Sequence, residues 1–293
     1  MKPVMDVIVT LNPSCVWDGL SLQFYTTFWS LTMYDLHVPN TMYDKQVHQL
    51  KAQLITIDDS DQTSSKKRKE RERCNNLIDK LEEEEKQQQD HVQMVMSRLK
   101  QEKDTWFISK VQKQAIITSL LQMCLFPRSC FTAVDACFCA KMLYIMHSLK
   151  TPNFSSLICY DRIFSNVLWP MTSCSENEAH RFGRFLCAIF EDIMRWHSDR
   201  NCYDKECSGY PGFVTVFRAV SAVKSGPGQV PADQLDFENY RHVVNKWHFT
   251  FTRATVHCLE SGDFIMIRNA LIVLTKILKF YPKVLRLGMA IER

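Results

Sequence analysis

Between Thr41 and Phe126 the chain contains neither glycine nor proline. These two residues reverse or interrupt a backbone most readily, glycine because it tolerates positive φ and proline because it lacks an N–H. So long a stretch without either cannot be a series of tight β-turns, and long helices are what it can form. The rest of the chain is similar, with only 8 Gly and 10 Pro in 293 residues. An all-β fold is disfavoured on that ground. Neither G-x-G-x-x-G nor G-x-x-x-x-G-K-[ST] occurs, so the usual dinucleotide and nucleotide loops are missing. The expected class is all-α.

Hydrophobic residues make up 46% and charged residues 23% of the chain, the balance of a folded domain rather than a disordered one. The net charge of +4 is too small to name nucleic acid as a partner. The twelve cysteines are scattered through apolar stretches. Cys137 and Cys139 are the closest pair and no C-x-x-C occurs, so zinc ribbons and thioredoxin-type sites lack support. The opening MKPVMDVIVTLNP is a poor signal peptide because Asp6 interrupts its apolar run. The longest uncharged stretch, Gly19 to Tyr34, is shorter than a membrane span needs. A reduced, intracellular, soluble protein with no membrane partner is expected.

Apolar spacing predicts the helices. Leu20, Phe24, Phe28 and Leu31 fall on one face of a helix that Pro39 would stop. A second helix is expected from Tyr43 to Ile57, and the polar DDSDQTSS run (58–65) breaks it. Residues 66–104 alternate in charge, with a thin stripe at Leu77, Leu81, Gln88, Val92, Val95, Leu99 and Trp106. One long charged helix of roughly 60 Å is expected there, and it needs something to lie against.

Further on, Pro127 is expected to open a helix with Phe131, Val134, Phe138, Met142 and Ile145 inward. Thr151-Pro152-Asn153 should open another. Ser175 and Glu178 form an S-x-x-E capping box before a stripe from Ala179 to Trp196. Gly209 to Gly212 reads as a turn ahead of a short helix, Phe213 to Val223, and SGPGQVP (225–231) as a loop. The next stripe runs Phe237, Tyr240, Val244, Trp247, Phe251, Ala254, Cys258. Gly262 then suits a left-handed cap and Asp263 the following N-cap. The last stripe is expected at Ile267, Ala270, Leu271, Leu274, Leu278 and Tyr281. Helix pairs without exact periodicity suit an irregular α-solenoid of HEAT or armadillo type, carrying one long charged helix; a compact bundle is the alternative. The expected organisation is a lead over 1–16, an aromatic-rich helical segment over 17–65, the charged helix over 66–115 and a helical-repeat region over 116–293.

The candidate sites are sparse. Lys66, Lys67, Arg68 and Lys69 open the run KKRKERER, whose clustered cations resemble a nuclear-localisation patch; the ordinary alternative is a charged helix start. Arg241, Lys246, Arg253, Lys276, Lys279, Lys283 and Arg286 are the cations best placed to meet RNA phosphates without reading sequence. Cys202, Cys207 and His197 supply three nearby donors where structural zinc takes four, so packed thiols and no metal are expected. Phe24, Phe28, Trp29, Trp247 and Phe251 could stack on bases, but at helical spacing they belong to a core. No nucleophile signature is present, and neither an enzyme activity nor a cofactor is expected.

Six segments carry a family resemblance: FYTTFWSLTMYDLHVP (24–39), KTPNFSSLICYDRIFSNV (150–167), ENEAHRFGRFLC (176–187), RWHSDRNCYDKECSGYPGF (195–213), DQLDFENYRHVVNKWH (233–248) and IRNALIVLTKILKFYPKVL (267–285). In order and content they resemble the THO complex subunit 2 family from about Trp17 onward. The resemblance implies a nuclear scaffold of the THO/transcription-export complex. Such a scaffold couples transcription to mRNA processing and export, and binds other THO subunits and a DEAD-box RNA helicase through helical repeats without catalysis. Members of that family are far longer, so the resemblance is to an internal-to-late portion. The lead over 1–16 is unmatched and SGPGQVP reads as an insertion. Two other functions fit the residues: a helical module that binds RNA directly and nonspecifically, and a short paralogue that does not assemble into the complex.

Overall fold

The computed structural model describes residues 2–11, 17, 19–59, 64–107, 113–214 and 234–292. Among them the regular structure is helical, with only two isolated β-bridges, Leu20 with Phe107 and Val214 with Gln234. The all-α expectation holds. The chain groups into two compact units, one of residues 1–31 with 102–293 and one of residues 32–101.

The first unit begins with α1 (Lys2–Leu11) and α2 (Leu22–Ser30). The predicted face of Leu20, Phe24, Phe28 and Leu31 is buried at all four positions. The single helix to Pro39 is not formed, however. It stops at Ser30 and α3 (Met33–Leu36) starts afresh. The cause lies far along the chain. The buried guanidinium of Arg128 donates through Nη1 to the Phe28 carbonyl oxygen and through Nη2 to that of Leu31, the latter at 2.7 Å. Carbonyls taken by Arg128 leave the backbone turned out of the helix. Leu31 is extended, and a capping box of Thr32 with Asp35 restarts it.

The second unit is α3, α4 (Asn40–Asp59) and α5 (Ser64–Glu102) up to Gln101. The predicted long charged helix is present. Its 39 residues correspond to roughly 58 Å at 1.5 Å per residue. In α5 the buried positions Cys74, Ile78, Gln88, Val95 and Leu99 and the half-buried Leu81, Glu85 and Val92 alternate at steps of three and four. Tyr43, Val47, Leu50, Leu54 and Ile57 do the same in α4. Leu77, expected in the stripe, is 40% exposed, and Ile78 is buried in its place. Tyr43 hydrogen-bonds Gln88 at 3.1 Å and Lys51 faces Glu82 at 3.9 Å, so α4 and α5 run antiparallel. Gln88, though buried, is satisfied: its amide also donates to the His37 carbonyl oxygen at 3.0 Å.

In the first unit, α6 (Lys113–Leu120) passes through a π-turn at Leu121–Leu125 into α7 (Phe126–Ser129). The helix expected from Pro127 through Met146 breaks here. Thr132 caps a new start, α8 (Ala133–Ser148), by accepting from the Asp135 N–H at 3.0 Å. Phe131 and Val134 are consequently exposed rather than inward. After Lys150 and Asn153, both at positive φ, Ser155 caps α9 (Ser156–Ser165). Then come α10 (Leu168–Ser173), α11 (Glu176–Ser198) and α12 (Arg200–Glu206). The Ser175–Glu178 capping box forms, and every predicted stripe residue of α11 is buried. Phe213 and Val214 are described, but the rest of the expected Phe213–Val223 helix and the SGPGQVP loop lie outside the described residues. The chain resumes where it left: Leu235 N–H donates to the Phe213 carbonyl oxygen at 3.0 Å.

The last helices are α13 (Phe237–Glu260), α14 (Phe264–Ile277) and α15 (Leu285–Glu292). Gly262 has φ 69 and Asp263 caps α14, as the sequence predicts. The stripe on α14 is turned, with Val273 and Ile277 buried while Leu271 and Leu278 are 50% and 64% exposed. Helices α8, α11 and α14 lie side by side in one row. Helix α13 packs on α9 and α15 in the other. Pairing alternate helices into two rows is the packing logic of a solenoid.

Gly183 permits the closest approach between α11 and α14, since a Cβ there would lie 2.9 Å from Lys276 Cγ. The core between the rows is aromatic. Trp196, Trp247, Tyr240 and Phe190 are buried, and Phe164 stacks on Trp247 at 5.5 Å.

Candidate functional site

A groove of about 820 Å³ runs between α13 and α15. It exists because α13 is tied down on its other side. Asp236 caps its start, Trp247 donates to Asp161 of α9 at 2.9 Å, and the Tyr240 hydroxyl reaches the Ile193 carbonyl oxygen at 3.0 Å. The Thr252 and Tyr281 hydroxyls meet beneath the groove in the core. Helix α15 buries none of its residues, and its Leu285 and Met289 are 79% and 48% exposed. Phe249 on α13 is 60% exposed. Phe249, Val256, Val284, Leu287 and Ala290 leave an apolar lining open, with Arg253 and Arg286 beside one carboxylate, Glu260. Such a surface suits burial of an apolar partner segment with charge matching at its edge.

The seven cations expected at RNA do not converge on one patch. Arg253 and Arg286 are brought together at the groove. Arg241 is paired with Glu238 at 3.7 Å, and Lys246 with Asp161 at 3.0 Å. Lys276 lies against α11 at Gly183. Lys279 sits by the Phe280 ring, and Lys283 donates to the Lys279 carbonyl oxygen at 2.9 Å. Lys66, Lys67, Arg68 and Lys69 occupy the first two turns of α5, with Lys66, Arg68 and Lys69 exposed.

The remaining candidates are packed. Phe24, Phe28, Trp247 and Phe251 are buried in the core and offer no face to a base. Cys202 lies 3.3 Å from Arg195 Nη1, while Cys207 is buried 4.0 Å from His147 Nε2. Among the described residues no group of three or more His, Cys, Asp or Glu is arranged to hold a metal. His147 sits between Ser156 Oγ at 2.9 Å and the Glu206 carbonyl oxygen at 2.8 Å, and burial pushes its pKa down to about 4. With Ser156 only 1% exposed, this pair has no route to a substrate.

Sequence reasoning missed the groove. Its apolar lining depends on Phe249, Val256, Val284 and Leu287 facing the opening, and amphipathic spacing alone assigns such residues to a core. The one available signal was the short apolar run LRLGMAIE after Pro282, too short to bury a face by itself.

The sequence model of the family described as transcription factor/nuclear export subunit protein 2 (Tho2) matches residues 17–293. The chain is 56% identical over its whole length to THO complex subunit 2 of Homo sapiens, and 36% identical over 99% of its length to that of Arabidopsis thaliana. The Saccharomyces cerevisiae protein of the same name is 22% identical over 90% of the chain. The chain spans less than a fifth of the length of these relatives: 18%, 16% and 14% respectively. With the family model matching residues 17–293 and relatives 56% and 36% identical over nearly the whole chain, this chain belongs to the Tho2 family.

Proposed function

We propose that this chain is a non-catalytic docking piece of the THO complex, holding other THO subunits and a DEAD-box RNA helicase within the nuclear mRNA export machinery. The observation that carries the proposal is the open groove between α13 and α15, an apolar lining with Arg253 and Arg286 beside it. The stacked rows behind it act as a rigid frame. Partners bind by covering Phe249, Val284 and Leu287, and the arginines set register. Direct, nonspecific RNA binding has less support, because Arg241 and Lys246 already face carboxylates.

The test is a pull-down of the tagged chain from nuclear extract, with and without RNase. Capture of THO subunits and helicase that survives RNase, and is lost in a variant with both Arg253→Glu and Arg286→Glu, supports docking. Capture abolished by RNase favours RNA contact. A chain that recovers no subunit, and elutes alone on a sizing column, fits the non-assembling paralogue instead. Nuclear residence is assigned to Lys66–Lys69; neutralising them should leave the protein cytoplasmic on imaging, and unchanged entry would remove that role.

A further inference from the structure

Two cysteines with matching local sequence meet across a second groove. Cys130 follows Phe-Pro-Arg-Ser and caps α7, its N–H donating to the Pro127 carbonyl oxygen at 3.4 Å. Cys174 follows Trp-Pro-Met-Thr-Ser and caps α10, its N–H donating to the Pro170 carbonyl oxygen at 3.0 Å. Both line an open groove of about 620 Å³ that contains no carboxylate and has Arg162 as its one charged side chain. The two thiols lie close enough for each to shift the other's protonation. Ser129 Oγ lies 3.9 Å from Cys130 Sγ, and Arg181 donates to the Cys130 carbonyl oxygen at 3.0 Å.

We propose that Cys130 and Cys174 form a peroxide-responsive dithiol at this groove, with Cys130 as the attacking sulfur and Cys174 as the resolving one.

The roles follow from the surroundings. The neighbouring Cys174 thiol, with Ser129 and the Arg181 charge, holds the Cys130 thiol below its ordinary value. Cys174 is pushed up by the Cys130 thiol and by burial. A thiolate is the nucleophile, and a partly exposed one beside a second thiol is the usual sensor arrangement. The thiols of Cys124, Cys139, Cys159 and Cys207 are instead buried and pushed up by desolvation, which makes them inert.

The chemistry balances with hydrogen peroxide as oxidant. The Cys130 sulfur attacks one peroxide oxygen, the O–O bond breaks, and hydroxide leaves and takes a proton as water. Cys130 is now a sulfenic acid. The Cys174 sulfur attacks the Cys130 sulfur, the S–O bond breaks, and a second water leaves with the Cys174 proton. Two thiols are oxidised to one disulfide while one peroxide is reduced to two waters. The bond joins the end of α7 to the end of α10 across the groove.

The test uses the full chain, reduced and freed of reductant, then treated with hydrogen peroxide and mapped by peptide mass spectrometry. A Cys130–Cys174 cross-linked peptide, reversed by dithiothreitol, is expected in the wild-type protein. In Cys174→Ser, dimedone should trap the sulfenic acid at Cys130. Trapping at Cys130 should outpace that at Cys187, because the first thiol is held down and burial pushes the second up. In Cys130→Ser, Cys174 should stay unlabelled. The proposal is overturned if dimedone marks Cys174 in preference, or if cross-links scatter evenly over other cysteines. It is also overturned if the pair stays reduced while surface methionines oxidise. The wild-type map needs no variant to fold, and circular dichroism checks the two serine variants.

Discussion

Replacing Arg128 by Met should detach the end of α2 from the first unit. The side chain is 5% exposed, caps two backbone carbonyls, pairs with Asp135 at 2.9 Å and lies over the Phe138 ring at 3.7 Å. Methionine fills similar volume and keeps the contact with the ring, so the change isolates the polar loss. Two buried carbonyls lose their donor at about 1–3 kcal/mol each, and Asp135 loses its partner. Removing one member of a buried charged network costs about 3–5 kcal/mol, so the expected loss is about 4 kcal/mol. On a unit of this size that lowers Tm by roughly 10 °C. Arg128→Lys keeps the charge but not the fork and should fall between. Urea unfolding followed by circular dichroism gives the size of the effect. Hydrogen exchange locates it, because amides of Phe24 to Leu31 should open first. A loss below about 1 kcal/mol for Arg128→Met, with α2 exchange unchanged, would refute the claim that Arg128 is what ends this helix.

Acid should weaken the first unit before it affects the charged helix. Burial pushes His147 and His248 down to about 4, so each is neutral when folded. Their stabilisation is complete above pH 6.5 and is lost as pH falls from 6.5 through 4, about 3 kcal/mol per histidine. A thermal melt series in that window checks it, and His147→Gln should flatten the curve by about half. Gly183→Leu should force α11 from α14, because a Cβ already meets Lys276 Cγ at 2.9 Å and Val273 Cα at 3.4 Å. A loss of about 1–3 kcal/mol is expected in denaturant unfolding. By contrast Phe249→Ser on α13, at a residue 60% exposed in the groove, should leave stability within about 0.5 kcal/mol, while weakening the capture of partners in a pull-down.

Helices, their caps and their charge were legible without coordinates. Ser175 with Glu178, Gly262 with Asp263 and the α11 stripe are signals confined to one or two turns, and they act the same way wherever the helix lies. The Tho2 family was legible too, since it is carried by residue identity rather than by shape. Where the readings failed, a distant residue decided. Arg128 ended α2 a hundred positions away by taking its carbonyls. The face of α14 turned because α11 offered Gly183, and Lys276 with Val273 came to it, leaving Leu271 and Leu278 outside.

The candidate surface divides in the same way. The cations are visible in sequence, but only packing shows that Arg241 and Lys246 are already paired while Arg253 and Arg286 share a groove. The meeting of Cys130 with Cys174 is likewise invisible in a list of scattered cysteines. A chain's own turn-by-turn hydrogen bonding and apolar period determine which segments become helices. Which side of each helix is covered, and which polar groups meet, depends on contacts between residues far apart, and those are decided only when the helices pack.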